Sequence, residues 1–168
     1  SASPERYCRR FDRAPDSKLN REDDKQGPLL AISVQQPWAE LILQERKHIE
    51  VRTWSDLYRG RIWLHTGRRC NESAAAYFSL RNLFVGGYVG LVTVVDIVAF
   101  DSDRWEQWRK YHLVPGPLPD GAFAWILSDP IRLARNIPAP GRLKLFRVDP
   151  ELESSLLAAV PRTSGDRS

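Results

Sequence analysis

From Leu29 onward, short apolar runs alternate with turn-forming stretches, and the period of the apolar positions changes several times. "LLAISV" (residues 29–34) is an unbroken apolar run after Pro28, which predicts a buried strand. Pro37 suits the first position of a helix, where its missing N–H costs nothing, with Gln36 just outside. Trp38, Leu41 and Ile42 then share one helical face through about Arg46. In "HIEVRTW" the period is two, with Ile49 and Val51 pointing one way and His48, Glu50, Arg52 and Trp54 the other. "GRIWLHT" repeats it, setting Ile62 and Leu64 opposite Arg61, Trp63 and His65. Residues 71–84 carry Ala74, Ala75, Ala76, Tyr77, Leu80 and Phe84 at helical spacing. Residues 88–100 form a long β-branched strand with one acid, Asp96, and Ser102 can cap a short helix bearing Trp105 and Trp108. Three prolines and two glycines make 114–121 a loop. "AFAWILS" and "LKLFRVD" close the domain as strands, with a Pro-marked connection from Pro130 to Pro140.

This order, β-α-β-β-α-β-(α)-β-β, excludes a doubly wound parallel sheet, whose helices alternate regularly with strands. It predicts an α+β, mainly β domain: a small antiparallel or mixed β-barrel with helices packed across its mouth. The folded part is expected over 28–150. Residues 1–27 alternate Arg, Asp, Ser, Pro and Lys and bury too little to offset their ordering entropy, which predicts a disordered leader. Residues 151–168 are expected to form a partly disordered tail, fraying from about Ser154. There is no internal repeat.

Composition narrows the classes. The chain has 168 residues, 42% hydrophobic and 27% charged, ordinary values for one globular domain. No apolar run is long enough to span a bilayer, so no membrane partner is expected. No secretory h-region stands near the start, and Cys8 and Cys70 lack metal-ligand spacing. These features predict an intracellular setting, cytoplasmic or, in a eukaryote, nuclear, with no metal and no cofactor. The absence of methionine predicts a start that is processed, trimmed or cut from a longer chain. Net charge is +4, but Arg46, Lys47, Arg52, Arg59, Arg61, Arg68 and Arg69 face only Glu50 and Asp56 between 46 and 69, a local excess of five.

That stretch holds the candidate chemistry. If the strands carrying Glu50 and Trp63 pair across "SDLYRG", then His48, Glu50, Arg52, Trp54, Arg61, Trp63 and His65 line one concave wall. Bases interleaved with aromatics suit a polyanion whose bases stack, meaning single-stranded or looped nucleic acid. A solvated strand face is the plainer reading of the same alternation. Lys47 and Glu50 are either an acid–base pair for hydrolysis or a neighbouring ion pair. His65 is a general base, a nucleic-acid ligand or a satisfied core histidine. Asp96 either faces water or neutralises a base such as Arg52 or Lys47. No G-x-S-x-G nucleophile motif and no phosphate-binding glycine loop is present.

"LLAISVQQPWAELILQERKHIEVRTW" followed by "YRGRIWLHTG" resembles the ASCH domain, the activating signal cointegrator homology domain. Gln36, Pro37, Trp38, Ala39, Lys47, Glu50, Arg52, Trp54, Arg59, Gly60, Trp63 and His65 match its motif in order and spacing. The likeness runs from about Leu29 to Asp149. It implies a β-barrel of the pseudouridine-synthase and archaeosine-transglycosylase (PUA)-like kind, binding RNA or other nucleic acid in a cleft between barrel and helices. Such domains occur in transcription-coactivator-like, regulatory and bacterial stand-alone settings. Some bacterial relatives hydrolyse amides of acetylated cytidine, and ribonuclease activity occurs within the superfamily. The amide hydrolases carry Lys-x-x-Thr on this strand, whereas Glu50 stands here where that hydroxyl would be.

The leading expectation is a nucleic-acid-binding module with RNA ahead of DNA. Lys47, Arg52, Arg61 and Arg68 would meet phosphates, Trp38 or Trp54 would stack on bases, and Glu50 and His65 would sit at the cleft floor. The alternative is a hydrolase of a modified nucleoside (an amidohydrolase) or of RNA (a ribonuclease), with Lys47 and Glu50 as acid–base pair and His65 assisting. A third class is a protein-interaction domain whose basic stretch meets an acidic partner.

Overall fold

A computed structural model of the chain describes residues 27–162. Apart from Gly27, the expected leader lies outside the described residues. The elements in order are β1 (Leu30–Ser33), α1 (Trp38–Leu43), β2 (Ile49–Arg52), β3 (Gly60–Thr66), α2 (Glu72–Tyr77), β4 (Gly87–Ala99), α3 (Ser102–Gln107), α4 (Arg109–His112), β5 (Phe123–Pro138), β6 (Leu145–Arg147), a 3₁₀ turn (Pro150–Leu152) and α5 (Glu153–Ala159). They build a six-stranded mixed sheet in the order β2-β5-β4-β3-β1-β6, parallel only between β1 and β3.

The expected barrel does not close through its backbone: β2 and β6 are the two edges. The sheet nonetheless curls. Three register shifts between β4 and β5 and one between β3 and β4 sharpen its twist. The two ends come close enough for side chains to bridge them. Arg52 Nη2 donates to the Ser33 carbonyl over 2.7 Å, and Lys144 Nζ lies 6.0 Å from the centre of the Trp54 ring.

The pairing of β2 with β3 is overturned. Glu50 lies opposite Trp125 on β5, while Trp63 lies opposite Leu91 on β4. Two strands separate β2 from β3, an offset of about 14 Å at the usual inter-strand spacing. Alternation specifies a strand's faces but not its neighbour.

Both faces of the sheet are buried. α1 lays Ala39 and Ile42 against Ile32, Ile62, Leu64 and Val92. It seats closely because Gly90 has no side chain: a Cβ there would come within 2.5 Å of Leu43 Cδ2. The opposite face packs Trp63, Tyr88, Leu133 and Phe146 against Leu156 and Ala159 of α5. Burying Leu156 contributes roughly 1.5–3 kcal/mol. Fraying from Ser154 is therefore corrected over α5: its apolar residues are the missing cover of the sheet. A third cluster joins Ile49, Ala124 and Ile126 to Trp108.

Three local expectations also change. The helix foreseen over 71–84 ends at Tyr77, and Ser79 and Asn82 then take positive φ (56° and 53°), while Phe84 reaches the core from a loop. Asp101, not Ser102, caps α3 by accepting the Arg104 N–H at 2.7 Å. The Pro130–Pro140 connection is largely strand. Pro130 is tolerated because it falls where the ladder to β4 skips from Ser128 to Ile131, so no N–H is required.

Candidate nucleic-acid cleft

The unpaired seam of the sheet opens into a cleft of about 1530 Å³. Trp38, Lys47 and residues 50–52 line it from the β2 side, and Ser33 with residues 140–144 from the other. The segment after β3, with Tyr77 and Phe78, adds one wall, and Arg109, Lys110 and residues 113–115 add another. Lys47, Arg52, Arg68, Arg69, Arg109, Lys110, Arg142 and Lys144 line it with a single acid, Glu50, although Arg109 and Arg142 are paired behind the wall with Glu106 at 2.6 Å and Asp149 at 3.2 Å. Tyr77 presents its ring on this surface at 82% exposure.

The Gln-Pro-Trp motif builds the wall. Buried Gln36 accepts the Glu40 N–H at 3.0 Å, which caps α1, and its amide nitrogen donates to the Phe84 carbonyl at 3.0 Å. Its backbone carbonyl takes the Asn71 N–H at 2.8 Å, fixing the loop that carries Arg68 and Arg69. Those two arginines are exposed, and no acid among the described residues pairs with them.

Lys47 is 1% exposed. Its ammonium donates to the His112 carbonyl and lies 5.0 Å from the Trp38 ring centre. Burial pulls its pKa down to about 8, with Glu50 pushing the other way and Arg52 adding to the decrease. His112 is held in turn by stacking on Trp105 at 4.0 Å, by donating Nε2–H to the Trp105 carbonyl and by accepting the Val114 N–H at Nδ1. Burial lowers the His112 pKa to about 4, so the ring is neutral and keeps this tautomer.

Glu50 and Arg52, two apart on β2, form a loose ion pair with 3.8 Å between Oε1 and Nε. That is too long for a hydrogen bond. Glu50 Oε2 and Arg52 Nε are buried without a hydrogen-bond partner.

Trp38, Lys47, Glu50, Arg52 and Arg68 thus come together, whereas Trp54, Arg61 and His65 do not line the cleft. Trp54 packs on Trp125 at 4.7 Å. Arg61 is half-buried on β3, and its carbonyl accepts the Tyr58 hydroxyl. His65 is fully buried; Nε2 donates to the Ala139 carbonyl at 2.8 Å, which leaves Nδ1 to accept the Ser33 hydroxyl at 2.9 Å. Burial lowers its pKa. A Cβ on Gly141 would come within 2.5 Å of the His65 ring, so imidazole and glycine together set the path of the 140–144 loop. Asp96 pairs with Arg59 at 3.2 Å, not with Arg52 or Lys47.

The local pattern counts Arg69 only within the basic excess and does not single out Tyr77, Phe78, Arg109, Lys110, Arg142 or Lys144. The pairs "RK" at 109–110 and "GRLK" at 141–144 were the available signal, but each stands far in sequence from β2. Among the described residues, no cluster of His, Cys, Asp or Glu could hold a metal ion, and no helix is long and apolar enough to cross a membrane.

The family model described as ASCH domain matches residues 32–136. Activating signal cointegrator 1 of Mus musculus is 27% identical over 135 residues, which cover 72% of this chain and 22% of that protein. Its Homo sapiens counterpart is 25% identical over the same shares. The chain thus spans 22% of the length of these curated relatives. Among solved structures, the ASCH protein from Zymomonas mobilis superposes with a TM-score of 0.58 at 19% identity, covering 79% of this chain and 96% of its own. A point mutant of that protein gives 0.57 at the same identity. At that identity the likeness shows the fold.

Proposed function

The chain belongs to the ASCH domain family, and on that premise we propose that its cleft binds a single strand of nucleic acid, RNA ahead of DNA. The observation that carries this reading is the convergence of eight bases, two of them paired with acids outside the lining, and one lining acid on one groove beside an exposed tyrosine ring. Arg68, Arg69, Lys110 and Lys144 meet phosphates, and each contact adds to a salt-dependent affinity. Tyr77 supplies a stacking platform, worth roughly 1–3 kcal/mol per base. Lys47 and Arg52 face the strand from the floor. Trp54, beside Lys144, and His65, beside Gly141, support the wall, and Arg61 has no part in the cleft.

The test is fluorescence-anisotropy titration with short single-stranded RNA, single-stranded DNA and duplex DNA at two salt concentrations. Binding that weakens steeply with salt, and that drops by about tenfold in Tyr77→Ala without loss of thermal stability, is expected. Absence of binding, or binding insensitive to salt, overturns the reading.

A second reading is favoured by one observation: a buried lysine with a pKa of about 8 sits in the same cleft as Glu50. Such a pair suits proton transfer near neutral pH, and the hydrolase would act on a modified nucleoside or on RNA. Incubation with N4-acetylcytidine and with RNA, followed by chromatography, tests it. Turnover that vanishes in Glu50→Gln while binding survives supports it, and intact substrates with the unaltered protein sink it.

A further inference from the structure

The wall that α4 gives the cleft is held from outside. α4 is one turn long, too short to persist on its own hydrogen bonds. Leu113 closes it in the left-handed region at φ 61°, and its N–H returns to the Arg109 carbonyl at 2.8 Å. The last carbonyls of the turn, those of Tyr111 and His112, have no helical N–H ahead of them and must be met by another segment. Two consecutive residues at the entry to β2 meet them. The His48 N–H donates to the Tyr111 carbonyl at 2.9 Å, and the Lys47 ammonium donates to that of His112.

The lysine contact is the more informative of the two. Lys47 is 1% exposed, so its stem borders the cleft while its charge is turned into the protein, 5.0 Å from the Trp38 ring centre. Burying an ammonium costs far more than burying a methionine of the same length. What lysine adds beyond filling space is therefore the bond to His112, strengthened because it sets a cation against the end of a helix. The wall held in this way carries one base that is free for a ligand. Arg109 is already engaged: it pairs with Glu106 and donates to the Val114 and Gly116 carbonyls at 2.7 and 2.9 Å. Lys110 is exposed, and its Nζ rests 5.0 Å from the ring centre of Tyr111, so its place follows that of α4.

We propose that Lys47 is a positioning residue: by holding the His112 carbonyl it sets the α4 wall, and with it the phosphate contact of Lys110, while its own ammonium makes no bond to the strand. This rests on the single-strand reading above. It also separates two roles that the sequence runs together, because Lys47 and Arg68 count equally in the basic excess although only one of them has its charge in reach of a ligand.

A cycle of variants, titrated on the full chain with short single-stranded RNA at two salt concentrations, tests this. Lys47→Met should weaken binding about threefold and lower the slope of log affinity against log salt by about 0.7, the share of one phosphate contact on a single strand. In a chain already carrying Lys110→Ala, the same change should cost less than about 1.5-fold and leave the slope alone, because the contact it acts through is gone. Beside Arg68→Ala and Arg69→Ala it should keep its full effect, which a general loosening of the fold would not distinguish. A full effect in the Lys110→Ala chain means that Lys47 meets a phosphate itself, and no effect in any chain means that it positions nothing. Either result overturns the proposal and leaves the single-strand reading standing. The unaltered protein provides a check that does not depend on a variant folding. NMR coupling between Lys47 Nζ and the carbonyl carbon of His112 should be present in the free protein and persist when the strand binds. Its absence, or its loss on binding, also overturns the positioning role alone. Failure of every strand to bind overturns both.

Discussion

β2 and β3 read almost alike in sequence. Each alternates β-branched or aliphatic residues with bases, tryptophan and histidine, and each invites the same interpretation of its polar face. Their fates differ. The polar side of β2, with Glu50 and Arg52, lines a cleft of about 1530 Å³, whereas Trp63 and His65 of β3 are packed under Phe146 and the residues around α5. The difference lies in position within the sheet. β2 is an edge strand beside an unclosed seam, and β3 is interior with a helix over its second face. A polar-looking stripe becomes a site only where no element covers it.

The comparison can be broken by substitution. Trp63→Ala should destabilise the fold by roughly 3–5 kcal/mol, because it empties a core position and leaves the Pro28 carbonyl, now bonded at 2.7 Å by the indole N–H, without that donor. Chemical denaturation measures this; a loss below about 1 kcal/mol would mean that the β3 face is not core.

Acid should act on the buried histidines. The folded-state pKa of His112, about 4, lies below the 6.5 of a free imidazole, and His65 shifts in the same direction. Below pH 6.5 the unfolded chain takes up protons that the fold refuses, so stability falls as pH drops from about 6.5 towards 4. Denaturation midpoints measured across that window should decline, and His112→Gln should flatten the decline.

On the cleft side the effects belong to binding. Arg68→Ala combined with Arg69→Ala should leave stability within about 0.5 kcal/mol, since both side chains are exposed. The same double variant should reduce the slope of log affinity against log salt by about 1.4, the share of two phosphate contacts on a single strand. An unchanged slope removes that wall from the interface.

A last comparison sharpens Lys47. Its ammonium is present in the fold below a pH of about 8 and lost above it, so affinity should fall as pH rises through 8. Stability moves the opposite way: between about 8 and 10.5 the unfolded chain holds the proton and the folded one does not, so the fold gains. Paired titrations of binding and of thermal midpoint should cross in sign, and Lys47→Met should abolish both trends.

Much of the fold was legible in the chain. Alternation located β2 and β3, the β-branched run located β4, and the Gln-Pro-Trp motif located the start of α1. What failed did so for identifiable reasons. α5 was read as tail because its apolar residues, Leu156, Leu157 and Ala159, make sense only against a sheet face already formed. Residues 130–138 were read as a connection because proline argues against a strand, and only the local slip of register excuses it. Of the candidate site, the β2 cluster was visible as a charge excess, but Arg109 and Lys144, some 60 and 90 positions away from β2, were not.

The division has a physical basis. Hydrophobic period, proline, caps and charge act over a few residues, so the chain by itself determined its strands, its first helix, its family motif and the basic character of the stretch from Arg46 to Arg69. Which strands pair, which faces are covered and where the sheet stays open depend on contacts between segments far apart in sequence, and local pattern is silent on those. Only the tertiary structure buried His65, exposed Tyr77, and set Arg68, Arg142 and Lys144 along the same cleft as Glu50.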